Sequence, residues 1–408
     1  MTNQYKSSLL TALLIHTLLW IGLGASTPTT DDLCYLNDAK KISTGSYEFN
    51  ESPKSQRLGM IWPTFLIIHI FGDSPTAIVL FPFIFSLFTI FILHKMFGNQ
   101  GPINFVAIIL LACNTTQLTF SNALFPDLIL ASIMLFICYI FWKRESSSKW
   151  TPILAGILLV TGFFIKQLIV IIVPYLFFLI AKDLFESKSL SFHLRFIFTT
   201  ISLSLPILLL LEYLKGDWMF MISAVELHHN QVFANLKGIE LIRRLTLEPL
   251  IFLNATSGFW PLLLLAIPAL IQKSINGMMR EIKWYTVYLL LFMWIGTTSL
   301  ESYAPILLLD RMWMPLIALL CYWAAQTIAN PVNEQKWTMP FIWLSFIASA
   351  AISLSKSEEG LAAFYIITPL AITLTRNYKE ILPEKYNLIH WLAVTPFLLL
   401  AIWFVWSN

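Results

Sequence analysis

Apolar stretches about as long as a bilayer crossing recur through this chain from Leu9 to Trp406, separated by short polar breaks. A helix that crosses a hydrocarbon core of about 30 Å needs about 20 apolar residues, and it must satisfy every backbone N–H and C=O within itself. A chain patterned this way folds as an all-α polytopic membrane protein. Hydrophobic residues make up 57% of its 408 positions, above the roughly 45–50% of soluble domains. No polar segment is long enough to form a separate soluble domain, so residues 1–408 are expected to be a single transmembrane domain.

The pattern marks about thirteen spans, at residues 8–25, 74–94, 103–120, 126–142, 151–165, 167–181, 196–213, 249–271, 284–298, 312–329, 339–355, 360–375 and 388–406. The first is too long for the apolar part of a cleaved signal peptide, about 7–15 residues, and is read as a retained helix. Short cytoplasmic loops should carry the excess of Lys and Arg. With the N-terminus cytoplasmic, Lys95, then Lys143, Arg144 and Lys149, then Lys182, Lys188 and Arg195, then Lys273, Arg280 and Lys283, then Lys336, then Arg376, Lys379 and Lys385 all fall on that side. Two longer loops, 26–73 and 215–248, fall outside. Interfacial helices are expected in these first and fourth outside loops, residues 236–247 being one amphipathic candidate.

Residues 151–181 would measure about 46 Å as one helix, too long for one crossing and short for two. Basic loops on both sides require the chain to go out and return, which places Lys166 and Gln167 at a tight outer turn. A lysine sunk there is expensive, so it should have a partner.

The net charge of +3 is small, and the basic residues are scattered between spans. Nucleic acid is excluded as a partner on that ground; the lipid bilayer is the partner that composition implies. Cys113, Cys138 and Cys321 lie within apolar runs and Cys34 alone in a polar loop, which gives no disulfide framework. His228 and His229 beside Glu226 point about 100° apart on a helix and lack a third ligand at zinc spacing, so they read as part of a polar interfacial helix. The Asn-x-Ser/Thr tripeptides at Asn50, Asn114 and Asn254 are short enough to arise by chance.

Charged residues are only 12% of the chain, which draws attention to adjacent acids just beyond the first span. The first outside loop begins Thr30-Asp31-Asp32-Leu33-Cys34-Tyr35, continues through Gly45-Ser46-Tyr47, and ends Pro53-Lys54-Ser55-Gln56-Arg57-Leu58-Gly59 before Trp62-Pro63. Asp31, Tyr35 and Ala39 share a helical face. Helix capping explains an acid at such a position as readily as catalysis does.

This order of motifs resembles the GT-C superfamily of membrane glycosyltransferases, in the branch of protein O-mannosyltransferases and lipid A aminoarabinose transferases. The resemblance rests on Asp-acid-x-x-Tyr after the first span, the following Gly-x-Tyr, an Arg-x-Gly…Pro entry and Phe-Gly before the second span, and it is strongest over the first two hundred residues. It implies transfer of a sugar from a polyprenyl-phosphate donor to an acceptor hydroxyl on a lipid, glycan or protein. Transfer would occur on the outer face with inversion. The topology of a short chain without a soluble lumenal domain is that expected in a bacterial inner membrane, with the active site periplasmic or extracellular.

On that resemblance Asp31 is the base and Asp32, where the family often has Glu, a second catalytic acid of open role. Tyr35, Lys54, Arg57, Asp127, Lys166 and Arg311 are the substrate-binding candidates, the cations facing the departing phosphate. Asp127 could equally be a helix N-terminal acid, Lys54 or Arg57 a solvated loop charge, and Arg311 could be neutralised by neighbouring Asp310. The family's usual Tyr after the Arg is Met312 here. No cofactor is indicated; whether a divalent cation takes part is open.

Two other classes fit a polytopic chain with few charges. A transporter or lipid flippase would place its charges near the bilayer midplane in two related halves, whereas here they gather at the outer ends of unrelated spans. A surface-polysaccharide polymerase or ligase would share the donor but lack the acid pair.

Overall fold

The computed structural model describes residues 2–26, 28, 30–97, 101–224, 238–254, 256, 258–272, 277–297, 306, 309–329, 338–355, 359–381 and 386–407. Among these residues the fold is all-α. The N-terminal half comprises α1 (Thr2–Leu23), α2 (Thr30–Thr44), α3 (Leu58–Phe71), α4 (Pro75–Ile78), α5 (Leu80–Phe97), α6 (Gly101–Ala112), α7 (Thr115–Ser121), α8 (Pro126–Trp142), α9 (Thr151–Ile165), α10 (Val173–Phe185) and α11 (Ser191–Lys215). The C-terminal half includes Trp260–Ile271, Gly277–Ile295, Met314–Ala329, Thr338–Ser355, Glu359–Ile381 and Tyr386–Ser407.

A helix that is apolar on every side belongs in the middle of a bundle. α8 meets this description and is buried along almost its whole length, packed by α5, α9 and Met314–Ala329. Met314–Ala329 is as deeply buried and also contacts α6 and Trp260–Ile271. Around this centre the outer helices turn leucine, isoleucine and phenylalanine outward; on α11, Leu194, Phe198, Ile201, Leu205 and Leu209 are all exposed. That apolar rim is the surface a bilayer would cover, and helix association inside it comes from van der Waals packing.

Helices lie within all thirteen expected spans; span 74–94 is divided at Val79 between α4 and α5, and two others are broken more widely. Span 103–120 bends by 54° between α6 and α7. The break opens at Asn114, whose side chain accepts from the Gln117 amide at 2.9 Å and so caps α7. The carbonyl of Ala112 that α6 can no longer use accepts from His16 Nδ1 of α1 at 2.9 Å. Asn114 also donates to the carbonyl of Gly258. A Cβ on Gly258 would lie 2.1 Å from Thr116 Oγ1 and 2.7 Å from its backbone nitrogen, so only glycine allows this approach. Gly258 interrupts span 249–271 as well, which is helical over Glu248–Asn254 and Trp260–Ile271.

The 151–181 problem is resolved by a change of helix type. α9 stops at Ile165, Lys166 is extended (φ −163°, ψ 128°), and Gln167–Ile172 continues as 3₁₀ helix into α10. A 3₁₀ helix rises about 2.0 Å per residue, so the six residues of 3₁₀ plus the thirteen of α10 reach about 31 Å, enough to cross. The chain folds back at this point: a Cβ on Gly162 would lie 2.0 Å from the Cδ1 of Ile169.

The loop at 26–73, expected outside, differs from expectation in one respect. Beside the interfacial helix α2 it holds α3, whose fourteen residues are nearly uniformly apolar rather than amphipathic. α3 measures about 21 Å, against about 22 Å for α9. Within the expected stretch 236–247, Ile239–Thr246 is a helix with Ile239 and Ile242 exposed, while Arg244 turns inward to the carbonyls of Trp294 and Ile306.

Candidate active site

α2 places Asp31 and Asp32 in its first turn and buries the face below them, where Tyr35 and Ala39 are 0% and 1% exposed. The loop that follows is pinned from within. Ser55 Oγ donates to Asn50 Oδ1 at 2.7 Å, Gln56 Nε2 to the Asn50 carbonyl at 3.1 Å, and Tyr47 donates its hydroxyl to the Ser55 carbonyl. These bonds hold Lys54 and Arg57 on the α2 side. Gly59 explains the Arg-x-Gly spacing: a Cβ there would lie 3.0 Å from the Ile165 backbone nitrogen and 3.1 Å from the Phe164 carbonyl carbon. The start of α3 thus rests on the end of α9, which brings Arg57 beside Lys166.

The ion pairs join elements far apart in sequence. Asp31 Oδ1 lies 2.6 Å from Lys54 Nζ, and its Oδ2 accepts from Arg311 Nη1 at 2.8 Å. Arg311 sits in the 3₁₀ turn Asp310–Trp313 that leads into Met314–Ala329, with its guanidinium carbon 4.9 Å from the Phe125 ring centre. Two residues after Phe125, Asp127 opens α8 and pairs with Lys166 Nζ at 2.5 Å; Asp127 and Lys166 are 3% and 8% exposed. Lys166 Nζ also lies 3.3 Å from Met312 Sδ. Arg57 donates to the Tyr35 hydroxyl, with its guanidinium carbon 5.9 Å from that ring's centre. All eight candidate residues therefore belong to one cluster, and the partner expected for Lys166 is Asp127.

The adjacent acids are set apart by their surroundings. Burial alone would raise the Asp31 carboxyl, but Lys54 and Arg311 outweigh it and hold the group below the usual carboxylate range. Asp32 is 3% exposed, with Oδ1 unpartnered among the described residues. Burial, helped by the charge of Asp31, raises its carboxyl, against the pull of a hydrogen bond from the Leu124 amide. Burial likewise pushes the Tyr35 phenol up to about 12. Two neighbouring carboxyls with opposite shifts are suited to different work.

Arg311 turns to Asp31 rather than to neighbouring Asp310. Phe125, which supports the Arg311 guanidinium, was not among the residues singled out from the sequence; its place in Leu-Phe-Pro-Asp, just before an acid-opened helix, was the available signal. Met312, a departure from the family pattern, supplies a soft sulfur contact to Lys166. Glu226, His228 and His229 lie outside the described residues. Among the described residues no group of three or more His, Cys, Asp or Glu is arranged to hold a metal ion, so no step is assigned to one.

With this geometry established, the chain can be set beside known proteins. Its overall structure superposes on the crystal structure of ArnT from Cupriavidus metallidurans bound to undecaprenyl phosphate with a TM-score of 0.65, at 14% identity over 97% of this chain and 76% of that one. The chain has a GT-C fold. The apo structure of the same ArnT gives a TM-score of 0.64 at 12% identity, with the same coverage. Residues 56–210 match the family described as dolichyl-phosphate-mannose-protein mannosyltransferase. No curated protein matches the chain. The GT-C resemblance of the motifs is thus matched by the fold, and the segment that matches the mannosyltransferase family contains Arg57, Asp127 and Lys166.

Proposed function

We propose that this protein is a glycosyltransferase that moves a sugar from a polyprenyl-phosphate donor to an acceptor hydroxyl, with inversion, at the outer face of a bacterial inner membrane. The observation that carries the reading is the bridging of Asp31 by Lys54 and Arg311, next to the buried Asp127–Lys166 pair. Four cations (Lys54, Arg57, Lys166, Arg311) meet three carboxylates (Asp31, Asp32, Asp127), and the one raised carboxyl, that of Asp32, lowers the negative count further. The surplus positive charge suits a sugar phosphodiester, which carries one negative charge. The ArnT structure bound to undecaprenyl phosphate supports a lipid-phosphate carrier.

In the resting protein Asp31 occupies the two cations that a donor phosphate would need. Donor binding draws Lys54 and Arg311 onto the phosphate, Arg311 being able to grip two oxygens at once. Asp31, no longer held by them, accepts the proton of the acceptor hydroxyl. The hydroxyl oxygen bonds to the anomeric carbon as the bond from that carbon to the phosphate oxygen breaks, and the lipid phosphate leaves with the electron pair. Its charge is met by fixed cations in a site sheltered from water, where such stabilisation is strongest. Asp127 fixes Lys166 in place, and Tyr35 does the same for Arg57.

The test is transfer by the purified protein in nanodiscs, using total polyprenyl-phosphate-linked sugars from the source membrane as donor pool. Loss of transfer in Asp31→Asn with the fold retained supports the reading; transfer near the wild-type rate refutes the base assignment.

A further inference from the structure

Two helix N-termini meet at the end of the bundle remote from Asp31. α9 begins at Thr151 and α11 at Ser191; the helices pack together, and the N-cap residues Trp150 and Leu190 make no side-chain cap, the Ser191 amide donating instead to Ser189 Oγ at 3.4 Å. Each brings the positive end of its dipole toward the space beside it. That space is a cavity of about 430 Å³, walled by Ser148 and Lys149 ahead of α9 and by Ser191, His193 and Arg195 at the start of α11. α8 separates it from the Asp31 cluster, with Asp127 at one end and Trp142, next to Lys143 and Arg144, at the other, about 25 Å along the helix.

The rear wall is rigid and its negative charge is already engaged. Arg144 is 9% exposed and donates to Asp183 Oδ1 at 2.7 Å and to both Glu281 oxygens at 2.8 and 2.9 Å. Asp183 also pairs with His193 Nε2 at 2.8 Å. This contact fixes the imidazole, which is 2% exposed, and leaves its Nδ1 buried and without a hydrogen-bond partner among the described residues. With Nε2–H committed to Asp183, Nδ1 can donate to an anion's oxygen only from the protonated ring. Lys188 is engaged by Glu145 and Glu186 at 2.7 and 2.8 Å. Lys149 and Arg195 remain as cations with no carboxylate partner among the described residues.

We infer that this cavity binds a phosphate group, supplied by an anionic phospholipid headgroup. Phosphate matches the chemistry present: two helix N-termini, serine hydroxyls, two cations without a carboxylate partner and an imidazole that, when protonated, donates from Nδ1. The lipid source follows from position. Trp150, 66% exposed, stands between Lys149 and α9, and Phe185 and Leu194 are 87% and 63% exposed nearby in sequence. An exposed Trp between a basic loop and an apolar helix marks headgroup level. The inference is independent of the glycosyltransferase reading.

The experiment uses the full chain released from mixed phosphatidylglycerol and phosphatidylcholine vesicles, with retained lipid counted by native mass spectrometry. The wild type should retain phosphatidylglycerol selectively. In Lys149→Gln/Arg195→Gln its apparent affinity should fall about fivefold per basic residue removed, whereas Lys95→Gln, an exposed lysine elsewhere, should leave it unchanged. Helix content and thermal midpoint in phosphatidylcholine nanodiscs check that each variant is folded; if the double variant is not, Arg195→Gln alone is read. Inorganic phosphate supplies the second arm. If phosphate raises the thermal midpoint of the wild type but not of the variant and displaces phosphatidylglycerol, both share the site. Stabilisation by phosphate without lipid selectivity keeps the site and overturns its lipid source. Wild type and variant alike towards both probes would overturn the inference.

Discussion

Asp31→Asn should abolish turnover while tightening the grip on the donor's phosphate, an unusual pairing that follows from the geometry. The substitution removes the base, which costs about 10²–10⁴-fold in transfer. It also removes the negative charge that Lys54 and Arg311 now hold at 2.6 and 2.8 Å. Side-chain exposures of 34%, 24% and 13% for Lys54, Arg311 and Asp31 place these pairs between exposed and buried. Two such pairs together are worth about 1–2 kcal/mol after solvent screening. An incoming phosphate no longer has to break them, so its affinity should rise about tenfold. Binding of undecaprenyl phosphate to wild type and variant in nanodiscs, alongside single-turnover transfer, measures both quantities. A variant that binds the lipid phosphate more weakly than wild type would refute the competition between Asp31 and phosphate.

Three further outcomes are expected. The Asp32 carboxyl is raised on folding, so its contribution to stability is present below the unfolded value near pH 4 and is lost as pH rises through the folded value; Asp32→Asn, which keeps an acceptor for the Leu124 amide, should gain thermal midpoint relative to wild type as pH increases from 4 to 8, and a difference independent of pH would contradict this. Lys166→Met strands Asp127 at 3% exposure and should cost about 3–5 kcal/mol, which Lys166→Met/Asp127→Leu should largely restore without restoring transfer; thermal melts and transfer assays on both variants read the two effects separately. Gly258→Ala drives a methyl against Thr116 and should destabilise the chain by about 1–3 kcal/mol, seen as a lower midpoint with no selective effect on donor affinity.

How far the sequence could be read depended on whether a feature was local. The spans at 126–142 and 151–165 coincide with α8 and α9 because apolar length and flanking Pro and Lys decide a membrane helix within its own segment. The need for a partner at Lys166 was legible too, since a buried lysine is costly wherever it sits. The partner itself was not, because Asp127 lies 39 positions away and its own local explanation, a helix N-terminal acid, was sufficient. The same holds for Asp31 and Arg311, 280 positions apart; Asp310 next door seemed the cheaper neutraliser, but the fold brings Asp31 to the guanidinium instead. The bend at Asn114 and the gap at Gly258 passed unnoticed because a hydropathy window averages short polar runs, here 114–117 and 254–258, into the apolar residues around them, and the two breaks require each other in space. α3 was missed as a helix for a related reason. It is a short apolar helix within a stretch read as a polar loop, where only amphipathic helices were expected.

The central claim, that the Asp31 cluster transfers a sugar from a lipid phosphate, is tested most directly in the source organism. Lipids and glycoconjugates from a strain lacking the gene, and from the same strain carrying wild type or Asp31→Asn, would be compared by mass spectrometry. The account predicts that one glycoconjugate loses a single sugar, and the matching polyprenyl-phosphate sugar accumulates, in both the deletion and the Asp31→Asn strain, with wild type restoring both. A full complement of sugars in the Asp31→Asn strain, or no difference between the deletion and its parent, would contradict it.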